Sequence, residues 1–285
     1  MIRRTVAIVS VTIVLALAVC AHAQTPSSVR RADALAALAR DSGWTRLPIG
    51  QLMTRLGREL LTTPYVGGTL EGDGPEVCRI SLDGLDCVTF FETVLNLARN
   101  LQRGRTSFDD LRSSVTQTRY RAGILDGYTS RLHYTTEWFL DNVAKGVVED
   151  VSQSLGGTPM SMKVDFMSTH PQLYPALRQD TAAVRRIAEI EARLQRATMF
   201  VIARDRIARI ESELKDGDII AIVTSKKGLD YAHTGIVVRE GNRARLMHAS
   251  STKKQVILDG YLADVVSRID SWTGISVARP REAAR

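Results

Sequence analysis

Residues 82–92 read Leu-Asp-Gly-Leu-Asp-Cys-Val-Thr-Phe-Phe-Glu, a glycine-containing loop that runs into a strongly apolar segment. From there, apolar residues recur at three- and four-residue steps as far as Leu101, which predicts a helix with one buried face. Asp86 suits the N-cap position, because its carboxylate can accept hydrogen bonds from the free amides of the first turn. The stretch therefore predicts a buried helix that begins at Cys87.

A cysteine in the first turn lies at the positive end of the helix dipole, which favours the thiolate over the thiol. We expect the Asp86 carboxylate to point at backbone amides and away from the sulfur of Cys87, since a facing acid would oppose the thiolate. The alternative is structural, because free cysteines are often small buried hydrophobic residues. Cys87 is a candidate nucleophile, and its assignment depends on partners elsewhere in the chain.

The first 23 residues have the pattern of a secretory signal peptide. Arg3 and Arg4 precede an apolar segment, and residues 21–23 read Ala-His-Ala, a typical cleavage site. Cys20 also ends a segment that resembles a lipobox, but the valine before it fits that motif poorly. We therefore expect an exported protein, periplasmic or secreted, with lipidation at Cys20 as the less favoured alternative.

The 285-residue chain has a formal net charge of +7, from 38 Lys and Arg against 31 Asp and Glu. These basic residues are dispersed, so no run of charge predicts binding to nucleic acid. After the signal segment, no apolar run is long enough to predict a transmembrane helix. We expect residues 24–285 to form a single domain, and we favour a monomer.

Two cysteines follow the signal segment, Cys78 and Cys87. In an exported protein a disulfide that closes the short loop between them is the structural alternative to catalysis. Two thiols would stabilise a domain of this size only modestly, and Cys87 has the helix-start context that Cys78 lacks. The sequence therefore favours two separate roles for the two residues.

The rest of the chain divides into helices first and strands last, which predicts an α+β fold. The predicted helices span residues 28–40, 49–61, 107–120, a segment from about 129 that carries His133 and Phe139, and 181–196. The predicted strands span residues 163–169, and, in one antiparallel sheet, 218–224, 234–239, 244–248 and 275–278.

Gly241-Asn242 is a two-residue hairpin signal between two of these strands. With that turn, Glu240 faces Arg243, and the same register makes His233 and His248 diagonal neighbours on one face of the sheet. A slip of one residue would place the two histidines on opposite faces. The hairpin register thus predicts a histidine pair within side-chain reach.

A nucleophilic cysteine needs a base to take its proton, and the base needs a group that orients its second ring nitrogen. Cys87 at a helix start, His233 at a strand start and His248 beside it supply these three groups. Each histidine taken singly is typical of an ordinary polar residue, but together with Cys87 they predict a catalytic site. The Cys and His residues show no spacing typical of metal ligands, so we expect no metal and no cofactor.

Seven segments, in this order, resemble the N-acetylmuramoyl-L-alanine amidase-like family of the papain-like, NlpC-type cell-wall hydrolases. They are residues 64–71 (PYVGGTLE), 85–92 (LDCVTFFE), 134–138 (YTTEW), 166–171 (FMSTHP), 217–220 (GDII), 233–236 (HTGI) and 248–251 (HASS). The resemblance extends from about residue 47 to residue 281. It implies an α+β, papain-like NlpC-type core, with the nucleophile at a helix N-terminus packed on an antiparallel sheet and with extra N-terminal and inserted helices.

By this resemblance Cys87 is the nucleophile, His233 the base and His248 the residue that orients it. Tyr65 and Asp86 would lie beside the oxyanion or the substrate. The implied reaction is hydrolysis of the amide between the muramic acid lactyl group and L-alanine, through a muramyl thioester, with peptidoglycan or its fragments as substrate.

The resemblance also implies a cleft wall built from Tyr134, Trp138, Ser168 and His170. Core packing is an equal alternative for Tyr134 and Trp138, which share a helix face, and a capping position at the end of a strand is the alternative for His170. Glu92 lies deeper in the helix and is expected to form an internal ion pair.

Two other functions compete with the amidase. A γ-D-glutamyl-diamino acid endopeptidase would use the same three residues, so their chemistry does not separate it from the amidase. A cell-wall-binding module without activity is the alternative from a different class, and the intact set of Cys87, His233 and His248 argues against it.

Overall fold

The computed structural model describes residues 24–283, which form an α+β fold with an antiparallel sheet and several helices. The predicted signal peptide, with Cys20, lies outside the described residues. The main helices are α1 Pro26–Asp41, α2 Ile49–Glu59, α3 Cys87–Gln102, α4 Phe108–Arg119, α5 Thr135–Ala144, α6 Phe166–Thr169, α7 Thr181–Leu194, α8 Ile207–Ile210 and α9 Leu262–Ser267.

Within these residues eight strands form the sheet. They are β1 Val148–Asp150, β2 Thr158–Ser161, β3 Thr198–Ala203, β4 Ile219–Thr224, β5 Tyr231–Glu240, β6 Arg243–Ser250, β7 Gln255–Tyr261 and β8 Trp272–Pro280. The order is β2-β3-β8-β4-β5-β6-β7, with β1 also paired to β8, and every pairing is antiparallel.

Helix α3 is the central helix of the fold, and its residues 89–101 are all buried. Asp86 caps it as predicted, since its carboxylate accepts hydrogen bonds from the amides of Val88 and Thr89. Glu92, inside the helix, pairs with Arg119 of α4 at 2.8 Å, so the expected internal ion pair of Glu92 is confirmed.

Alternating residues of the central strands face two separate hydrophobic layers. Ile219 and Ile236 belong to the layer that includes α2 and α3, whereas Ile220 and Val237 pack with Ile207 and Val266 of α8 and α9. The sheet is thus covered on both faces by helices. This explains why β4 is buried at every position.

Several predicted elements differ from the structure. Residues 163–169, predicted as a strand, contain helix α6 instead, because the amides of Thr169 and His170 bond back to the carbonyls of Asp165 and Phe166. The helix predicted from about residue 129 is a 3-10 turn at Tyr128–Ser130, followed by α5.

The predicted sheet also lacked four of the observed strands, β1, β2, β3 and β7. The charged segment at residues 181–196 was predicted as a helix, and it forms α7, which is amphipathic because it buries Ile187, Ile190, Glu191 and Leu194. Across residues 24–283, no helix combines the length and the apolar character needed to cross a membrane.

Candidate active site

A cleft of about 320 Å³ opens where the start of α3 meets the start of β5. Its lining includes four of the predicted site residues, Asp86, Cys87, Tyr134 and His233. A larger cavity, of about 530 Å³, lies between the start of α2 and the loop before β4, and neither cysteine nor histidine lines it. The predicted nucleophile and the predicted base therefore share one cleft.

Cys87 is the first residue of α3 and is partly exposed in the cleft. The Asp86 carboxylate lies 3.0 Å from the Val88 amide and 2.8 Å from the Thr89 amide, so it points at the backbone as expected. Thr234, next to His233 on β5, donates its hydroxyl to the Cys87 carbonyl at 2.8 Å. This bond ties the start of α3 to the strand that carries the predicted base.

The protonation of Cys87 differs from the expectation based on the helix dipole. Burial, reinforced by the negative charge of Asp86, raises the pKa of Cys87 to about 11. Hydrogen bonds that involve Thr234 and the Cys87 backbone act in the opposite direction but do not outweigh burial. The resting site thus favours the thiol, because burial disfavours the charged thiolate.

His233 and His248 form the pair that the hairpin register predicted. Glu240 faces Arg243 across the turn, as expected. His233 Nε2 lies 2.6 Å from His248 Nδ1, and the two rings are nearly perpendicular, at 89°. His248 is buried, with 5% exposure.

Gly235 makes room for this pair. By the β5–β6 register it is the residue opposite His248, and a Cβ built on it would be 3.0 Å from His248 Cβ and 2.9 Å from the Met247 carbonyl oxygen. Real Cβ atoms rarely approach other atoms so closely. The glycine is therefore required by space, since a side chain there would displace strand β6 at Met247 and His248.

His233 lies directly after an irregularity in the pairing of β4 with β5, where Ile222 faces His233 and Val223 faces Tyr231. Bulges of this kind often redirect side chains at functional sites. The His233 ring stacks on Trp272 of β8, with centroids 5.6 Å apart and an interplanar angle of 10°. Burial, followed by the charge of a protonated His248, lowers the pKa of His233 to about 3, so its resting imidazole is neutral.

Tyr65 lies in the loop just before Gly67 and Gly68, next to the segment that leads into α3. Its segment runs parallel to residue 85, and the Val66 amide bonds to the Leu85 carbonyl at 3.1 Å. Burial and the nearby negative charges of an ionised Cys87 and of Asp86 raise the pKa of Tyr65. Its hydroxyl therefore keeps its proton and can donate a hydrogen bond.

Tyr134 is among the residues that line the cleft, and its hydroxyl is engaged inside the protein. The hydroxyl donates to Glu191 of α7 at 2.7 Å and accepts from the Met167 amide at 3.0 Å. The predicted wall position of Tyr134 is thus compatible with its place in the structure, although its hydroxyl is already engaged by Glu191 and Met167.

Three other predicted wall residues lie away from the cleft. Trp138 is 2% exposed, packs edge-on against Phe91 at 4.9 Å and donates to Glu92 at 3.2 Å, so it is a core residue. Ser168 and His170 lie on or beside α6, but they do not line the cleft. The proposed cleft positions of Trp138, Ser168 and His170 are corrected accordingly.

The reason for this correction is the helical turn of α6, which replaces the expected strand. The turn directs Met167 to the cleft instead, while the His170 ring stacks on Phe166 with centroids 4.3 Å apart. In a strand, the side chains of these residues would have alternated between two opposite faces. The apolar side chain of Met167 could have been found in the sequence only if the helix had been recognised.

Sequence reasoning also missed Asp230, which lines the cleft and is 4% exposed. Its carboxylate accepts the Thr136 amide at 2.7 Å and the Tyr231 amide at 2.7 Å, and burial raises the pKa of Asp230. It therefore joins the start of α5 to the start of β5. The only sequence signal for a role of Asp230 was its position three residues before His233.

Cys78 and Cys87 are both free thiols, so the described chain contains no disulfide between them. Cys78 is buried, away from the cleft, beside Arg112. No group of three or more His, Cys, Asp or Glu side chains within residues 24–283 is arranged to hold a metal ion.

A sequence model of the AmiA-like family, described as N-acetylmuramoyl-L-alanine amidase-like, matches residues 55–275. The chain belongs to this family. This membership confirms the resemblance inferred from the seven segments, and it makes the chain an amidase-like protein. A comparison with curated protein sequences finds no match.

Solved structures with the same fold come from three bacteria. An N-acetylmuramoyl-L-alanine amidase from Bacteroides uniformis is 36% identical, with a TM-score of 0.77 over 82% of this chain and 99% of its own. A protein from Bacteroides fragilis, whose name suggests a xylanase, is 35% identical, with a TM-score of 0.73 over 78% of this chain and 98% of its own. A Legionella pneumophila protein, 19% identical, has a TM-score of 0.65 over 91% of this chain and 99% of its own, and it shows the shared fold alone.

Proposed function

We propose that this amidase-like protein is an exported cysteine amidase that hydrolyses the N-acetylmuramoyl-L-alanine bond of peptidoglycan or its fragments. The observation that carries the proposal is the shared cleft of Cys87 and His233, with His233 bonded to His248 at 2.6 Å. In a member of this family, the arrangement supports Cys87 as the nucleophile, His233 as the base and His248 as the residue that orients the base. We also propose that the core is of the papain-like NlpC type.

The first step would transfer a proton, because both groups are neutral at rest. The pKa of Cys87 is about 11 and that of His233 about 3. His233 Nε2 is engaged by His248, which leaves Nδ1 as the nitrogen that accepts the thiol proton. As the proton leaves, sulfur attacks the lactyl carbonyl carbon, a C–S bond forms, and the carbonyl oxygen becomes an oxyanion.

Stabilisation of that oxyanion is assigned to the Cys87 amide and the Tyr65 hydroxyl. Asp86 accepts the next two amides of α3, so the Cys87 amide is the proposed donor from the helix start. The raised pKa of Tyr65 keeps its hydroxyl protonated and able to donate. Loss of one such donor typically costs about 3–4 kcal/mol of transition-state stabilisation.

The intermediate would then collapse with cleavage of the C–N bond. His233 returns its proton to the departing L-alanine nitrogen, and the muramyl group remains on sulfur as a thioester. Water, deprotonated by His233, attacks the thioester carbonyl, the C–S bond breaks, and the proton returns to sulfur. The products are the free muramic acid carboxylate and a peptide with an L-alanine amino terminus.

The carboxylates of the cleft do not support glycosidase chemistry. Glycosidases use two free carboxyl groups on either side of the scissile bond. Here Asp86 accepts two amides of α3, and Asp230 accepts one amide from α5 and one from β5. Glu71 pairs with Arg131 at 2.5 Å. Each carboxylate has a structural partner, so acyl transfer at Cys87 is the better-supported reaction.

The test is incubation with defined muropeptides, followed by mass spectrometry. We expect an intact sugar acid and a peptide whose new amine belongs to L-alanine. A product in which an L-alanyl-D-glutamate stub stays on the sugar would assign the endopeptidase instead. Unchanged substrate, with a folded protein, would favour a binding module.

Export has its own test. The full-length chain, expressed in a bacterium, should be recovered from the periplasm or medium with Gln24 at its amino terminus, as read by intact-mass measurement. A lipid-modified terminus at Cys20 would assign the lipoprotein alternative, and an uncleaved cytoplasmic product would contradict export.

A further inference from the structure

The second ring nitrogen of His248 has a partner that the catalytic set of three residues does not include. His248 Nε2 lies 3.4 Å from Asp259 Oδ2 on strand β7. The Asp259 carboxylate is itself held, because Arg268 Nη1 lies 2.8 Å and 3.0 Å from its two oxygens and the Gly260 amide donates at 2.7 Å. A continuous series of contacts therefore runs from His233 through His248 and Asp259 to Arg268.

An irregularity in the sheet accompanies Asp259. Arg245 faces Tyr261 and Met247 faces Leu258, so β7 has one residue more than β6 in this interval. Such a bulge bends the strand and redirects its side chains. The Arg245 guanidinium fixes the bulge, since its Nε donates to the Asp259 carbonyl at 2.8 Å.

The charge of the carboxylate is maintained by its neighbours. Partial burial alone would raise the pKa of Asp259, but the hydrogen bonds from Arg268 and Gly260 outweigh it and lower that pKa. Burial lowers the pKa of His248, against the opposing effect of Asp259, so His248 is neutral in the resting site. A neutral imidazole carries one N–H, and an ionised carboxylate can only accept.

These facts fix both tautomers. Because Asp259 can only accept, the proton of His248 is on Nε2, and its Nδ1 is a lone pair. His233 must then donate through Nε2 across the 2.6 Å contact, which leaves the lone pair of its Nδ1 for the proton of Cys87. The opposite tautomer of His233 would have no such lone pair and could not act as a base.

We propose that Asp259, held by Arg268, is a positioning residue that sets the tautomers of His248 and His233 and so makes His233 a competent base. The inference rests on the proposed function, in which His233 deprotonates Cys87. Asp259 adds one residue to that mechanism, because it orients His248 as a carboxylate orients the catalytic histidine of other triads.

The direct test is the ¹⁵N spectrum of the imidazole nitrogens in histidine-labelled protein, which needs no substrate. Protonated and unprotonated ring nitrogens have well-separated chemical shifts, and His233→Gln and His248→Gln variants assign the signals. We expect His233 and His248 each to carry their proton on Nε2 in the wild type. In Asp259→Asn, whose amide can also donate, we expect a mixture of tautomers. A His233 proton on Nδ1 in the wild type, or unchanged tautomers in Asp259→Asn, would overturn the proposal.

Kinetics with the muropeptide substrate give the second readout. Because Asp259 is one residue further from the substrate than the orienting carboxylate of a serine triad, where loss costs about 10⁴-fold, we expect kcat to fall on the order of tenfold in Asp259→Asn, with KM unchanged. Asp259→Glu should recover part of the loss. The matched control is Asp264→Asn, since Asp264 is an exposed acid on α9 that contacts Arg243 at 3.5 Å.

Arg268→Gln provides a milder variant, because Arg268 is 53% exposed and its loss leaves the carboxylate in place. It should lower kcat less than Asp259→Asn does. Equal kcat in the wild type and Asp259→Asn would contradict the proposal, as would equal losses in Asp259→Asn and Asp264→Asn. A wild type with the expected tautomers but without amidase activity would refute the proposed function and leave the tautomer assignment standing.

Discussion

His233 and His248 are joined across strands β5 and β6 by a contact of 2.6 Å between Nε2 and Nδ1. Both rings are largely buried, His233 shares a cleft with Cys87, and burial disfavours the thiolate of Cys87. The consequence is a resting site with a neutral thiol and a neutral imidazole. Charge would then appear only when a substrate carbonyl is present to receive the sulfur.

The pH dependence follows from that neutral pair. The active form needs His233 unprotonated, which holds above its pKa of about 3, and Cys87 protonated, which holds below its pKa of about 11. We expect kcat/KM to vary by less than about twofold between pH 5.5 and 8.5. Steady-state assays over this range, with circular dichroism to verify folding, provide the measurement.

An acidic limb near pH 6.5, the ordinary pKa of histidine, would show that His233 is solvated in the working enzyme. Iodoacetamide gives an independent check. Because the thiolate is the reactive form, alkylation of Cys87 at pH 7 should be slower than that of a free cysteine. Faster alkylation would restore the thiolate that the helix dipole alone predicts.

Replacement of the nucleophile should separate the two cysteines of the described chain. Cys87→Ala should lower kcat/KM by at least about a thousandfold, while the protein stays folded. The matched control is Cys78→Ala, because Cys78 is a free thiol too but lies outside the cleft. A Cys87→Ala protein with substantial activity would rule out the cysteine mechanism.

Much of this site was predictable because its parts are local. The apolar period of α3, the Asp86 cap and the Gly241-Asn242 turn all act over a few residues, and together they place Cys87 at a helix start and pair the two histidines. The family resemblance then suggests the proposed reaction. What remained open was the environment, which depends on residues distant in the chain.

The protonation of Cys87 shows this limit. The helix dipole can be read from the sequence, but the desolvation that disfavours the thiolate depends on how β5 packs against α3. Asp259 shows a second limit, since β7 was not predicted and a bulge aims its carboxylate. Trp138 shows a third, because one helical face can meet either a core or a cleft.

The space at Gly235 gives a prediction about His248. In Gly235→Ala the new Cβ would lie 2.7 Å from Leu246 Cδ1, 2.9 Å from the Met247 carbonyl oxygen and 3.0 Å from His248 Cβ, so β6 must shift at the position that carries His248. We expect kcat to fall by at least about tenfold and stability to fall by about 1–3 kcal/mol. Gly67→Ala is the control, because its nearest neighbour would be Tyr65 Cε1 at 3.7 Å, an ordinary contact. Equal activity in Gly235→Ala and the wild type would show that the histidine pair tolerates displacement.

The ion pair behind the nucleophile helix should matter for stability rather than chemistry. Arg119 and Glu92 have side chains that are only 3% and 1% exposed. In Arg119→Met the Glu92 charge would stay buried without its partner, so urea unfolding should show a loss of about 3–5 kcal/mol. The exposed pair of Arg186 and Glu189, at 58% and 66% exposure, supplies the control, and Arg186→Gln should change stability by less than about 0.5 kcal/mol. Similar losses in both variants would contradict the assignment of α3 and α4 as one buried unit.

The last prediction concerns the wall of the cleft. Met167 lines it with an apolar side chain, whereas His170, three residues later, stacks on Phe166 and faces away. Met167→Ala should therefore raise KM for a muropeptide by about fivefold to tenfold, which corresponds to the loss of roughly 1–1.4 kcal/mol of apolar contact. His170→Ala should leave KM within about twofold, because a residue outside the cleft contributes no uniform binding. Both variants should keep the wild-type kcat, since neither side chain touches Cys87 or His233 in the proposed mechanism. Initial rates over a range of muropeptide concentrations, with thermal unfolding to correct for stability, measure the contrast. A larger KM for His170→Ala than for Met167→Ala would place the substrate on the other side of α6 and return the wall to its sequence-based position.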